Sequence, residues 1–322
     1  MPGPGHAGST LIAAPPEAAL RDLRWLLLSP PLLADGHYSA PVQRFDACDT
    51  AAIEAWLAQL QATPHPLQTY LAHHAAPPLR LGRYAERLLQ FFLQSGPTHR
   101  LVTANLALRH APGQQPGLDH TTRGEIDFLL EDREHRAWHW ELAVKFFLCV
   151  AGGDRADAQD FVGPDRAETL PGKLHKLFDR QLKHVPPPPW NHRAWEAAAY
   201  TRGWMFYRHD RPSPRCEALA GEHLRGVWVE HRHLHELPSG SYLMLPRARW
   251  MSPASCPSPA SLLPREHLAQ AIGSVWSAAP PAGARRWPSA QLVARMEPTG
   301  SSWHEVQRCF VVPDGWEQPD SD

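Results

Sequence analysis

Four side chains in two short segments have the types and spacing to do chemistry. GEIDFLL carries Glu125 and Asp127, and WHWELAVKFFL carries Glu141 and Lys145. Residues an even number of positions apart share one face of a β-strand, so each segment presents its charged groups to one side. Two neighbouring strands with a common carboxylate-bearing face form a candidate metal site, with an ammonium at its edge. A plainer reading of the same residues is a solvated, ion-paired sheet face, an arrangement that contributes only ~0–1 kcal/mol per pair.

The apolar pattern says which elements hold these groups. Arg136, Trp138, Trp140, Leu142, Val144, Phe146 and Leu148 fall on one side of their strand, opposite His139, Glu141, Ala143, Lys145 and Phe147. Likewise Ile126, Phe128 and Leu130 are expected to point away from Glu125 and Asp127. RLVTANLAL (Arg100 to Leu108) reads as a strand before them, and RGWMFYR (Arg202 to Arg208) as one after. Amphipathic spacing predicts helices over Glu17–Leu28, Thr50–Gln61 (Ile53, Trp56, Leu57 and Leu60 inward) and Arg80–Gln94. In the last of these, Glu86 flanks the stripe of Leu81, Ala85, Leu88, Leu89 and Phe92.

A further helix is expected from Leu170 to about His184, with Thr169 as its N-cap and Pro171 tolerated in the first turn. At ~100° per residue, Leu170, Leu174, Leu177 and Phe178 form its apolar side, and Gln181 lands in the middle of that side. A glutamine turned toward the sheet needs hydrogen-bond partners or costs roughly 1–3 kcal/mol. The carboxylate-bearing face offers them; the alternative is an exposed Gln181 on a slightly rotated helix. Lys173, Lys176, Arg180 and Lys183 form a separate basic stripe. With Lys145, those three lysines are the only ones among 32 basic residues. A lysine ammonium is compact and shifts its pKa readily on burial, so the clustering marks a place where arginine would not serve. Beside a metal site the stripe is a phosphate track, because each cation that neutralises a phosphate releases counterions.

A net charge of -1 gives no global nucleic-acid signature, so any such surface is a local patch. Five scattered cysteines without a CxxC argue against a disulfide framework or a cysteine zinc site and suit a reducing cytoplasm. No signal peptide, membrane span, P-loop or GxSxG nucleophile is read. GPGHAG (Gly3 to Gly8) matches GxGxxG, but prolines surround it and no strand precedes it, so it is rejected as a nucleotide site. His231, His233 and His235 would share one face of a strand, a minor zinc candidate. Pro186 to Pro189 reads as a stiff spacer. The chain divides into a disordered N-terminus (1–16), a helical segment (17–78), an α/β core with a mixed central sheet (79–210) and a β-rich C-terminal extension packed on it (211–322). That extension comprises LRGVWVEHRHL, SYLML, a helix near Arg265–Trp276, QLVARMEP and WHEVQRCFVV.

The order helix, three strands, helix, strand, with Glu86, Asp127 and Glu141 on the first helix and the second and third strands, resembles the PD-(D/E)XK nuclease superfamily. More narrowly, GRYAERLLQFFL, GEIDFLL, WELAVKFFL and FVGPDRAETLPGKLHKLFDRQL look like a bacterial family of unknown function placed in that superfamily. The resemblance implies a restriction-endonuclease-like αβββαβ core and a Mg²⁺- or Mn²⁺-dependent nuclease acting on DNA or RNA. Asp127 and Glu141 would bind the metal, supported by Glu86. Lys145 would orient the attacking water, and Gln181 matches a helix glutamine of some branches. Hard oxygen ligands suit such an ion. One departure stands out: the (D/E)-x-K pattern puts lysine at position 143, where this chain has Ala143. Lys145 lies ~13 Å along the strand from Glu141 instead of ~7 Å, at ~3.3 Å per residue. Lys173 or Lys176 on the following helix is the alternative source of the amine. If no lysine reaches the acids, the module binds nucleic acid or a protein partner without cutting.

Overall fold

The computed structural model describes residues 16–74, 80–109, 122–277 and 289–317. Of the N-terminus expected to be disordered over 1–16, residues 1–15, with the GPGHAG stretch, lie outside the described residues, as do the Pro77–Pro78 break and the Pro/Gly/Gln loop at 110–121. The N-terminal part forms α1 (Pro16–Leu28), α2 (Ala47–Ala62), α3 (His65–His73) and α4 (Leu81–Ser95). Asp46 caps α2 by accepting from the Asp49 N–H at 2.7 Å. The short α3 escapes the sequence pattern because Leu67 is its only buried residue.

Three strands follow: β1 (Arg100–Arg109), β2 (Thr122–Glu131) and β3 (Ala137–Cys149). Next come the two-residue β4 (Phe161–Val162), then α5 (Leu170–Leu174) and β5 (Glu196–Arg208). The C-terminal part adds β6 (Leu224–Glu230), β7 (Ser241–Leu245), β8 (Ser255–Cys256), β9 (Leu263–Pro264), α6 (Arg265–Ser277), β10 (Gln291–Thr299) and β11 (Ser302–Val312). Among the described residues these strands make one mixed sheet in the order β1-β2-β3-β5-β6-β11-β10-β7-β9, with β4 on β3 and β8 on β11. β3, β5, β6 and β11 run parallel, while the strands on either flank are antiparallel. The C-terminal strands thus extend the sheet that carries the candidate site.

The predicted alternation along β3 holds. Trp140, Leu142, Phe146 and Leu148 join the core under α1–α4, while Ala143, Phe147 and Cys149 pack on the other face with Leu170, Leu177 and Phe178. In β2 it breaks. Phe128 and Leu130 enter the first core, but Ile126 packs separately with Leu108 and Leu129. The irregularity sits at Asp127. Opposite it, between the pairs Ala104–Phe128 and Leu106–Ile126, Asn105 adopts φ +52°, a conformation asparagine tolerates better than most residues. The β2–β3 ladder also stops at Phe128–Trp140. The two strands part where the acids lie, which opens the face for side chains.

The helix expected over 170–184 is present but not regular. Thr169 Oγ1 accepts from the Gly172 N–H at 3.3 Å, as an N-cap should. After α5 the chain makes a π turn over His175–Arg180 and a 3-10 turn over Gln181–Lys183. The wide turn shifts the phase of everything beyond it. Lys173, in the regular turn before it, is buried beside Leu170 at 9% exposure and so stands apart from Lys176, Arg180 and Lys183, which stay exposed. His231, His233 and His235 do not share a strand face, because His231–Glu236 is a 3-10 helix.

Candidate active site

The parted ends of β2 and β3 are stitched by their own acids. The Leu142 N–H donates to Asp127 Oδ2 at 2.9 Å, and the Asp127 N–H donates to Glu141 Oε1 at 3.3 Å. Each carboxylate thus replaces a rung of the missing ladder. Two further donors fix Glu141: His139 Nε2 at 2.8 Å to Oε1, and Gln181 Nε2 at 2.6 Å to Oε2. Gln181 Oε1 in turn accepts from Lys173 Nζ at 3.4 Å. Gln181 therefore has the inward partners its position demands, and the exposed alternative is excluded. The π turn is what lets Lys173 and Gln181 meet. Such turns recur at functional sites.

Burial dominates the electrostatics. Glu141 is fully buried and Asp127 is 8% exposed. Desolvation pushes the Asp127 carboxyl up to about 8, and the neighbouring Glu141 adds to the rise. Glu141 itself is pushed up to about 7 by burial. His139 is driven down to about 4 by burial, so it is a neutral imidazole whose Nε2–H donates to Glu141. Lys173 is lowered to about 8 by burial and by the charges of Lys145 and Lys176. Both acids feel the Lys173 charge, yet its hydrogen bond goes to Gln181. The acids are thus held almost wholly by neutral donors.

The other expected residues divide. Glu86 lies close enough for the Asp127 charge to raise its carboxyl, which burial chiefly lifts to about 7. Its Oε2 accepts from Arg83 at 2.6 Å, and the same guanidinium nitrogen reaches Glu125 and Asn105 at 2.8 Å. Among the described residues no three His, Cys, Asp or Glu side chains are grouped to hold a metal ion. Lys145 turns away from Glu141: its Nζ bonds both oxygens of Glu168 at 2.8 Å. The lysine whose charge both acids feel is Lys173, from the following helix.

A cleft of about 950 Å³ opens beside these groups, with Glu141 and His139 outside its lining. Glu86, Asp127 and Lys173 line it with Lys145 and Gln181, and Arg83, Arg123, Lys176, Arg180, Lys183 and His184 add positive or titratable groups. A Cβ at Gly124 would come within 2.7 Å of His184 Nε2 and push that ring aside. Three contributors escaped the sequence reading. His139 was legible as the residue two before Glu141 on the same face. Arg83 carried the signal of standing one turn before Glu86. Glu168 lies in the loop before α5, and nothing in its local pattern points to Lys145.

Carboxylate oxygens are the donor type a small hard cation takes, and here both Glu141 oxygens and Asp127 Oδ2 already accept hydrogen bonds from the chain. Mg²⁺ keeps several waters and is commonly held by one or two carboxylates plus substrate phosphates. Asp127 and Glu141 could supply those two carboxylates, with the cationic rim facing the substrate.

The chain belongs to a family described as a domain of unknown function (DUF1853), whose model matches residues 21–312. No curated protein and no solved structure matches the chain.

Proposed function

We propose that this member of the domain-of-unknown-function family is a divalent-cation-dependent phosphodiesterase of the PD-(D/E)XK type, acting on DNA or RNA. The observation that carries the reading is the pair Asp127–Glu141, desolvated and, among the described residues, without a bonded cation, with Asp127 lining a cationic cleft and Glu141 fully buried beside it. The helix–strand order around it agrees with the αβββαβ arrangement of that superfamily. Bound at the pair, Mg²⁺ or Mn²⁺ supplies positive charge to a phosphoryl oxygen and lowers the pKa of a water.

The chain's own residues do the rest. His139 and Gln181 lock the Glu141 carboxylate in orientation, and the Leu142 N–H does the same for Asp127. Lys173 is the amine that orients the attacking water and offsets charge growing on the phosphoryl group, the role the displaced lysine leaves open. Its burial keeps the ammonium close to losing its proton near neutral pH. Lys176, Arg180, Lys183 and Arg123 hold the flanking phosphates, and each contact makes binding more salt-sensitive. Glu86, tied to Arg83, tunes the local charge from the cleft wall.

Incubating the purified chain with Mn²⁺ or Mg²⁺ and duplex DNA, single-stranded DNA and RNA tests this directly. Cleavage of at least one substrate, lost in Asp127→Ala, is expected. If wild type and variant leave every substrate intact, the phosphodiesterase reading is wrong. The engagement of Lys145 by Glu168 favours a second reading, a cleft that binds nucleic acid without cutting. Affinity unchanged by Asp127→Ala and Glu141→Ala, together with no cleavage, would select it.

A further inference from the structure

On the opposite side of the sheet, a second cavity of about 430 Å³ lies between α1 and residues 252–255 and shares no lining residue with the carboxylate cleft. Arg21, Trp25 and Ser29, at four-residue steps along one side of α1 and its end, all line it. Arg21 Nε, Trp25 Nε1 and Ser29 Oγ are each enclosed and have no hydrogen-bond partner. Buried polar groups are nearly always paired, so three orphans on one face around one cavity call for an acceptor from outside the chain. Trp25 is only 6% exposed, so bulk water does not serve its indole N–H.

The neighbouring charges define what that acceptor is. Asp22 is already taken by the Ser252 N–H and hydroxyl and by Tyr84, and Glu305 is taken by Arg308 and the Ala254 N–H. Glu54 grips Arg24 through two bonds of 2.5 and 2.6 Å. Among the described residues Arg21 has no carboxylate within salt-bridge distance; it feels the charges of Asp22 and Glu17 from farther off, and that of Arg249 adds a second positive group nearby. The walls are apolar: Trp25, Trp204, Leu28 and Leu224. Trp204 offers no donor, since its Nε1 is committed to the Met251 carbonyl at 2.9 Å. The volume falls within the range of small-molecule sites.

We infer that this cavity is a binding site for a small anion with a flat apolar body, such as an aromatic carboxylate, which places its charge against Arg21 and its ring between Trp25 and Trp204. The carboxylate supplies the acceptor that Arg21 lacks, through a small rotation of its side chain; Ser29, eight residues on and ~12 Å along the helix at ~1.5 Å per residue, is out of reach of the same carboxylate. This inference is independent of the phosphodiesterase reading.

Titrating 2-naphthoate into the ¹⁵N-labelled full chain, with the Trp25 indole resonance identified by its loss in Trp25→Phe, tests it. A saturable shift of that resonance is expected. Neutral 2-naphthalenemethanol should bind at least tenfold more weakly, and Arg21→Met should weaken 2-naphthoate at least tenfold at an unchanged unfolding temperature. Should Arg21→Met fail to fold, Arg21→Gln serves in its place, with weakening of at least threefold. A Trp25 resonance that does not move overturns the proposal. So does equal binding of the neutral and anionic probes, or binding unaffected by the variant that folds, because the cavity then holds only water or an adventitious additive.

Discussion

Two of the places where the sheet encloses acidic groups treat them in opposite ways. At Glu305 the carboxylate meets Arg308, which is 1% exposed, through bonds of 2.6 and 3.0 Å. The remaining guanidinium donors reach the carbonyls of Trp250 and Ser252, and the group stacks on Trp204 at 3.9 Å. That charge is closed: each carboxylate oxygen has a cationic partner. At Asp127 and Glu141 the same sheet buries two acids side by side with neutral donors and one lysine held off by a glutamine. A closed pair serves the fold. An open pair lowers stability unless a cation joins it, and sites of that kind are where function concentrates.

The contrast is broken most severely at its closed end. Glu305→Ala leaves Arg308 buried without its counter-charge, and a loss of about 3–5 kcal/mol is expected in urea unfolding. A loss under about 1 kcal/mol would show that the two regions do not differ as argued.

At the open end the amine comes next. Lys173→Met should lower cleavage by roughly 10²–10³-fold, the range typical of removing one donor that stabilises charge in the transition state. Lys145→Met, which removes a partner of Glu168, should lower it by less than tenfold. The reverse order would return the role to Lys145.

Asp127→Asn should have the sign opposite to Glu305→Ala. Because the folded-state pKa of Asp127 is raised, the folded chain holds a proton that the unfolded chain has lost. Its contribution is intact below about pH 4 and is eroded as pH rises to about 8. In EDTA, the variant should match wild type at pH 4 and be more stable by on the order of 1–2 kcal/mol at pH 8, a modest share because coupled neighbours relax. Thermal unfolding across that range checks it, and a variant less stable than wild type at pH 8 would contradict the open-pair description. The smallest effect is expected on the rim, where Lys183→Gln should reduce the salt slope of DNA binding by about 0.9 for each phosphate that the ammonium neutralises.

Much of this contrast could be read before any coordinates. The period-two pattern of β3 separated Trp140 and Leu142 from Glu141 and Ala143, because burial on both faces leaves a strand little freedom of register. Gln181 was legible for the same reason: a polar group amid Leu174, Leu177 and Phe178 must have partners. Lys173 was legible as an alternative source of the amine, but its separation from Lys176, Arg180 and Lys183 was not, since a uniform 3.6-residue period has no place for the π turn at His175–Arg180 that lies between them. Ile126 was misassigned because the break at Asp127 depends on Asn105 across the ladder, a non-local effect. The closed pair was invisible as well. Arg308 and Glu305 read as ordinary charges on WHEVQRCFVV, and only the arrival of Trp204 and the carbonyls at 250 and 252 makes them core.

The central claim is that Asp127 and Glu141 form an open pair waiting for a cation. Isothermal titration of Mn²⁺ into the wild-type chain and Asp127→Asn at pH 7.5 tests it most directly. The account predicts one saturable site per chain in wild type, absent from the variant. No heat of binding in wild type, or the same isotherm in both proteins, would contradict it.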